Sequence, residues 1–268
     1  MASHGQPRVL VPTMGALHAG HLALVQHARE VAGAEGTVVV SIFVNPIQFD
    51  RAGDLAAYPR PLAADLAACR AAGVAVVFVP EVAAMYYPDR SVTVTETQLS
   101  RGLCGAARPG HFDGVCTVVL KLFLLSGCDM AVFGNKDFQQ LAVIRRMVRD
   151  LDVPVTIIGH PTVREADGLA LSSRNVRLSA AQRADAPRLR QVLLAARAAV
   201  QAGARTAADL LAGARHGLAA SPLLRLDYLA LVDADSLEEV ARLERPAVLA
   251  MAVFYGEVRL IDHIRLEP

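Results

Sequence analysis

The sequence predicts an α/β protein: a Rossmann-like parallel-sheet domain over residues 1–162, followed by a smaller α+β domain over residues 163–268. Three observations carry this. Runs such as Thr37–Val44 (TVVVSIFV) are apolar almost without a break, the pattern of a strand buried on both faces. Such runs alternate with stretches of helical spacing, as in parallel β-α-β units. After Ser179 the texture changes to Ala- and Arg-rich helices and then three strand-like runs, an order that builds an α+β layer. A chain of 268 residues suits one large domain or two smaller ones, and 53% hydrophobic content is ample for a core.

In order, residues 1–8 are a polar, frayed start and Val9–Val11 is a short buried strand. Residues 11–21 (VPTMGALHAGH) form a strand-to-helix turn, and 22–31 carry apolar residues at helical spacing. Pro46 ends the second strand and exposes Asn45 and Gln48 at its carboxyl end. Residues 61–72 read as a helix with proline in its first turn. Residues 74–79 read as a third buried strand and 91–95 as a short edge strand. Residues 103–114 (LCGAARPGHFDG) are rich in Gly and Pro and read as a loop. Asp113 is placed to cap a helix over 115–126, apolar nearly all round and so buried or set at a subunit interface. Then follow a strand at 130–133, a helix at 138–151, a strand at 155–159 and a polar, flexible stretch at 161–175. Ser179 and Thr206 are placed to cap helices running to about 203 and 218. Strands near 225–232, 247–254 and 257–262 close the chain, with Gly256 in the last turn.

The chemistry concentrates at strand-to-helix turns. In an open parallel sheet such turns lie at the carboxyl ends of strands, where ligands bind. Gly15 and Gly20 allow close approach of backbone to ligand, and a helix start attracts phosphate. His18 and His21 are three apart, on one side of the first turn, and imidazoles can donate to phosphate. Either histidine alone reads better as solvated or as a helix cap; the pair after Pro-Thr-Met-Gly reads as a ligand contact. Gly134-Asn135-Lys136-Asp137 repeats the logic of strand, glycine and helix start. Lys136 can meet phosphate as a point charge, while Asp137 can cap the helix or hold ribose or a cation. Gln140 shares Asp137's face. Ser172, Ser173 and Arg174 can wrap a triphosphate with two hydroxyls and a fork, or cap a helix. Only two of the 27 basic residues are lysine, Lys121 and Lys136, so a compact ammonium is retained at few places.

These stretches, in order, resemble one family. His-x-Gly-His is similar to the signature of the nucleotidyltransferase superfamily. Residues 11–21, FVNPIQF, YPR, RPGHFDG, FGNKDFQQL and READGLALSSRN together resemble the pantoate–β-alanine ligase (pantothenate synthetase) family. The resemblance implies ATP contacts at Met14, Gly15, Ala16, Leu17, His18, Ala19, Gly20 and His21. It implies further ATP contacts at Gly134, Asn135, Lys136, Asp137, Val163 (through its backbone), Leu171, Ser172, Ser173 and Arg174. Gln48 and Gln140 would contact pantoate, and Gln48 also β-alanine. Catalytic roles fall on His21, His18 and Lys136. Where Asn135 stands, the family usually has Glu or Gln. The implied reaction joins pantoate and β-alanine at the expense of ATP, with Mg²⁺ on the phosphates and no dedicated protein metal site, in a homodimer whose C-terminal domain acts as a lid. The family usually carries a longer segment before the first strand, so the expectation is an intact site with a less stable sheet edge.

A net charge of +1 gives no footprint for nucleic acid or an anionic membrane. Cys69, Cys104, Cys116 and Cys128 form no CxxC pair and read as reduced, buried thiols. No signal peptide or membrane-length apolar run stands out, which makes the expected location cytoplasmic. Two other readings remain: a different adenylyl- or cytidylyltransferase, and a nucleotide-binding protein that has lost catalysis.

Overall fold

The computed structural model describes residues 6–268, so the expected fraying of residues 1–5 lies outside the described residues. The elements in order are β1 (Arg8–Thr13), α1 (Ala19–Ala32), β2 (Thr37–Ile42), α2 (Ala52–Ala56), α3 (Leu62–Ala71), β3 (Val76–Phe78), α4 (Val82–Met85), α5 (Leu103–Ala107), α6 (His111–Ser126), β4 (Met130–Gly134), α7 (Phe138–Asp150) and β5 (Thr156–His160). After these come α8 (Ala180–Asp185), α9 (Arg188–Gln201), α10 (Ala207–Ala219), β6 (Leu224–Asp233), β7 (Ala247–Tyr255) and β8 (Val258–Leu266). Two compact units result. One takes the chain up to Glu96, then Arg108–Asn135 and Gln140–Thr162; the other takes Thr97–Ala107, Lys136–Gln139 and Val163–Pro268.

The first unit is a five-stranded parallel sheet ordered β3-β2-β1-β4-β5. The order reverses at β1 and β4, which pair through Val9↔Met130 and Leu10↔Ala131. In open sheets of this kind ligands bind beside such a reversal, at the carboxyl ends of the strands. One face is closed by α1, whose Leu24, Val25 and Ala28 join a core with Val9, Val11, Val38, Val40 and Val132. Each of these Leu and Val side chains contributes roughly 1.5–3 kcal/mol by leaving water.

Several expectations need correction here. β1 starts at Arg8, inside the stretch expected to fray, and its amide donates to Asp129 Oδ2. The run 74–79 is an edge strand, not a buried one: Val76 is 48% exposed. Residues 91–95 form no strand; Val94 N–H donates to the Thr117 hydroxyl instead of to a ladder. The 103–114 stretch holds α5 and the start of α6. Gly110, left-handed at φ 77°, takes the N-cap position of α6, while Asp113 lies inside its first turn. α6 buries most of its length, but Leu124 and Leu125 at its end are exposed.

The second unit holds a three-stranded antiparallel sheet, β6-β7-β8, with a core that includes residues of α9, α10 and all three strands. Ser179 caps α8 in a reciprocal box with Gln182, and Thr206 caps α10 by accepting the Asp209 amide. The helix expected from 179 to 203 is two helices. Pro187 ends the first and occupies the N-cap of the second, because a proline ring cannot continue the ladder.

Candidate active site

The turn after β1 is built before any ligand arrives. The Thr13 hydroxyl donates to the Ser41 carbonyl at 2.7 Å and accepts the Gly15 amide at 3.1 Å. Gly15 and Ala16 are both left-handed, at φ 78° and 49°. A Cβ on Gly15 would meet Asp65 Oδ2 and Ile42 Cγ2 at 2.9 Å, so the position excludes a side chain. Asp65, at 2% exposure, projects from α3 and accepts the Ala16 amide at 2.9 Å and the Leu17 amide at 2.8 Å. Two charge-assisted bonds to one buried carboxylate offset the strain at Ala16.

The next helix starts at Ala19, not Leu22, because His18 is its N-cap. His18 Nδ1 accepts the Gly20 amide at 3.1 Å, and His21 Nδ1 accepts the His18 amide at 3.3 Å. The ring centroids are 4.0 Å apart. The capping that the sequence argued against for this pair is therefore present. It occupies Nδ1 on both rings, so each neutral ring carries its proton on Nε2, as a donor. Capping engages the Nδ1 edge of each imidazole.

Gln48 sits in a 3₁₀ turn, Pro46–Gln48. Its carbonyl accepts from His111 Nδ1 at 2.7 Å and from Arg108 Nη2 at 3.1 Å. Arg108 Nη1 can only donate, so His111 Nε2 accepts it at 3.1 Å and Nδ1 bears the proton. Arg108 Nε also donates to Asp50 at 2.6 Å. Burial pushes the Asp50 carboxyl up, yet the Arg108 bond and charge outweigh it and hold it below the usual range. A Cβ on Gly114 would strike the Ile47 carbonyl at 2.5 Å, so α6 packs backbone against backbone on the Gln48 turn. In RPGHFDG, Arg108, His111 and Gly114 thus grip Gln48.

Of the remaining candidates in this unit, Gly134 ends β4 and Asn135 follows it. The Asn135 side chain lies over Gly159 of β5, where any Cβ would collide with Asn135 Oδ1. Gln140 is half-buried on α7.

The other candidates belong to the second unit. Lys136 Nζ lies 3.6 Å from Asp137 Oδ2. The stretch expected to be flexible is a tied hairpin: Arg164 bridges Ala170, Leu171 N–H donates to the Val163 carbonyl at 3.0 Å, and Gly168 turns at φ 93°. Arg164 forks onto Asp262 at 2.7 and 2.8 Å, and Arg183 spans Glu165 and Asp167. The Val163 carbonyl thus takes part in the hairpin. After the hairpin, the Ser172 hydroxyl accepts the Arg174 amide at 3.2 Å, and Ser172, Ser173 and Arg174 are half-buried.

The whole chain can be placed among known proteins. Residues 1–265 match the family described as pantoate-beta-alanine ligase. The chain belongs to that family. It is 54% identical to the pantothenate synthetase of Akkermansia muciniphila over 96% of this chain and 92% of that one. It is 53% identical to that of Desulfovibrio desulfuricans over 98% and 92%. Among solved structures, the pantothenate synthetase of Thermus thermophilus superposes with a TM-score of 0.92 at 47% identity, over 98% of this chain and 94% of that one. The pantoate-beta-alanine ligase of Francisella tularensis, complexed with beta-gamma ATP and beta-alanine, superposes with a TM-score of 0.79 at 31% identity, over 97% and 89%.

Three residues that shape the candidate site's surroundings carry little or no signal in the sequence. Asp65 gave one faint signal: it and Cys69 are four apart on α3 and both buried, so the acid lies on the inward face. Tyr86 gave none. Gln139 stands beside the favoured Gln140; its side chain binds the Leu99 and Gly102 carbonyls and the Cys104 amide, each at 2.8 Å. It pins the 97–107 segment to the start of α7.

Proposed function

We propose that this chain condenses (R)-pantoate with β-alanine, using ATP, to give pantothenate, AMP and pyrophosphate through a pantoyl adenylate. The observation that carries the reading is the His18/His21 box at the switch point, in a chain matched to the ligase family from end to end. Pantoate carboxylate attacks the α-phosphorus and pyrophosphate leaves. The β-alanine amine then attacks the acyl carbon, and AMP leaves with the bridging oxygen. The first step sets an anion on a polyanion, so it calls for donors and cations more than for a covalent nucleophile. In this reading His18 and His21 donate Nε2–H to phosphate oxygens, and the loop backbone from Met14 to Gly20 lines the nucleotide. Lys136, Ser172, Ser173 and Arg174 meet the phosphates. Gly134, Asn135, Asp137, Val163 and Leu171 contact the nucleotide. Gln48 and Gln140 hold pantoate, and Gln48 then serves β-alanine.

Mg²⁺ belongs to this reading as the partner of the triphosphate, neutralising charge on its oxygens. In this reading the ion takes its ligands from phosphate and water. A lid role for residues 163–268 rests on chemistry: an acyl adenylate left in open water hydrolyses. A homodimer is supported by the exposed apolar end of α6, Leu124 and Leu125. A cytoplasmic location fits the free, buried cysteines. Among the described residues no helix is long and apolar enough to cross a membrane.

The test is exchange of labelled pyrophosphate into ATP by the purified chain. Exchange that needs pantoate but not β-alanine, and falls on the order of 100-fold in His21→Ala, is the expected result. Exchange without pantoate would overturn the reading.

A further inference from the structure

Gln48 is anchored by its backbone, but its amide is oriented by a separate chain of contacts. The chain begins at the Gly114 carbonyl, which can only accept. Asn45 Nδ2 lies 3.1 Å from it, which fixes the nitrogen end of the Asn45 amide. The second Asn45 N–H then points at Gln48 Oε1, at 2.9 Å. Asn45 Oδ1 accepts the Tyr86 hydroxyl at 2.7 Å. All three side chains are buried, Asn45 at 1% exposure. With Oε1 taken, Gln48 offers Nε2, whose partner is Met14 Sδ at 3.2 Å. A thioether is a weak acceptor, so that donor is easily given up to a stronger one.

We propose that Tyr86 is a positioning residue that holds Asn45 in place, with the polarity set by the Gly114 carbonyl, so that Gln48 keeps Oε1 on Asn45, shows the hydroxy-acid substrate a donor and selects an acceptor oxygen there. This rests on Gln48 being a pantoate contact. Removing the Tyr86 hydroxyl leaves Asn45 Oδ1 a buried acceptor without a donor, a costly arrangement. Asn45 would then shift to regain a donor, and its hold on Gln48 Oε1 would loosen. Burial pushes the Tyr86 phenol up to about 12, so the hydroxyl keeps its proton across the neutral range. A glutamine amide by itself could meet pantoate with either a donor or an acceptor; this arrangement already supplies Oε1 with a donor and leaves Nε2 on a weak thioether partner.

A double-mutant cycle on the full chain separates this from a structural role. Gln48→Ala, Tyr86→Phe and the double variant are compared in KM for pantoate, KM for ATP and kcat. Tyr86→Phe is expected to raise the pantoate KM about fivefold, the size of one lost hydrogen bond, with the ATP KM unchanged. In the Gln48→Ala background the same change should add nothing. Asn45→Ser, too short to reach Gln48 Oε1, should reproduce the effect and serves if Tyr86→Phe lowers the melting temperature enough to confuse the kinetics. An equal rise in both backgrounds, or no rise in either, would overturn the relay. If Gln48→Ala itself leaves the pantoate KM unchanged, the assignment of Gln48 to pantoate has failed and the relay falls with it.

Discussion

The turn at 13–21 and the hairpin at 163–171 both fix backbone on which the proposed chemistry depends, and they do so by different physics. The turn is held by hydroxyl, imidazole and amide contacts around one buried acid, Asp65. The hairpin is held by guanidinium–carboxylate pairs: Arg164 on Asp262, and Arg183 on Glu165 and Asp167. Contacts of the first kind place atoms with little dependence on salt. Contacts of the second kind are screened where exposed, and strong but hazardous where buried. The molecule therefore has one grip that depends little on salt and one built from ion pairs.

The largest predicted effect breaks the second grip. Arg164→Ala leaves the Asp262 carboxylate, 3% exposed, with its charge uncompensated. The expected loss is about 3–5 kcal/mol, read by urea unfolding. A loss below that range would mean water reaches Asp262. Next comes Asp65→Asn, which turns an NH₂ toward one of the two loop amides. One unsatisfied N–H should cost roughly 1–3 kcal/mol and raise the ATP KM, with the same cost at low and high salt. A salt-dependent cost would erase the contrast between the two regions.

A third prediction uses pH. Burial pushes the Asp185 carboxyl up, but bonds from the Ser221 hydroxyl at 2.6 Å, the Tyr255 hydroxyl at 2.7 Å and Arg188 at 3.0 Å outweigh it, and the net shift is downward. A folded-state value below the ordinary 3.8 gives stability that is present above 3.8 and lost as pH falls through the lower, folded value. Stability should therefore fall with pH between 3.8 and that lower value in the natural chain, and this part of the fall should be missing in Asp185→Asn. The smallest effect is Arg183→Ala. Its carboxylate partners are partly exposed, so the expected cost is about 1 kcal/mol or less, fading as salt rises.

The parallel sheet was legible because its strands bury both faces and read as unbroken Val and Ile runs. The same code misled at 74–79, where an apolar run gives no sign of lying at an edge. It misled again at 91–95, where alternation met no partner strand. His18 and His21 were legible as a candidate site, but not as a helix cap through Nδ1, because that depends on which ring nitrogen faces the helix. Asp65, Tyr86, Gly114 and Gly159 act on residues distant in sequence. Their roles exist only once α3, α6 and β5 have packed, and no local spacing encodes them.

The central claim is that pantoate's own carboxylate attacks the α-phosphorus. Pantoate labelled with ¹⁸O in its carboxylate, turned over with ATP and β-alanine, tests it directly. The expected result is one labelled oxygen in the AMP and none in the pyrophosphate. Label in pyrophosphate or inorganic phosphate, or AMP free of it, would contradict the adenylate and the site built around it.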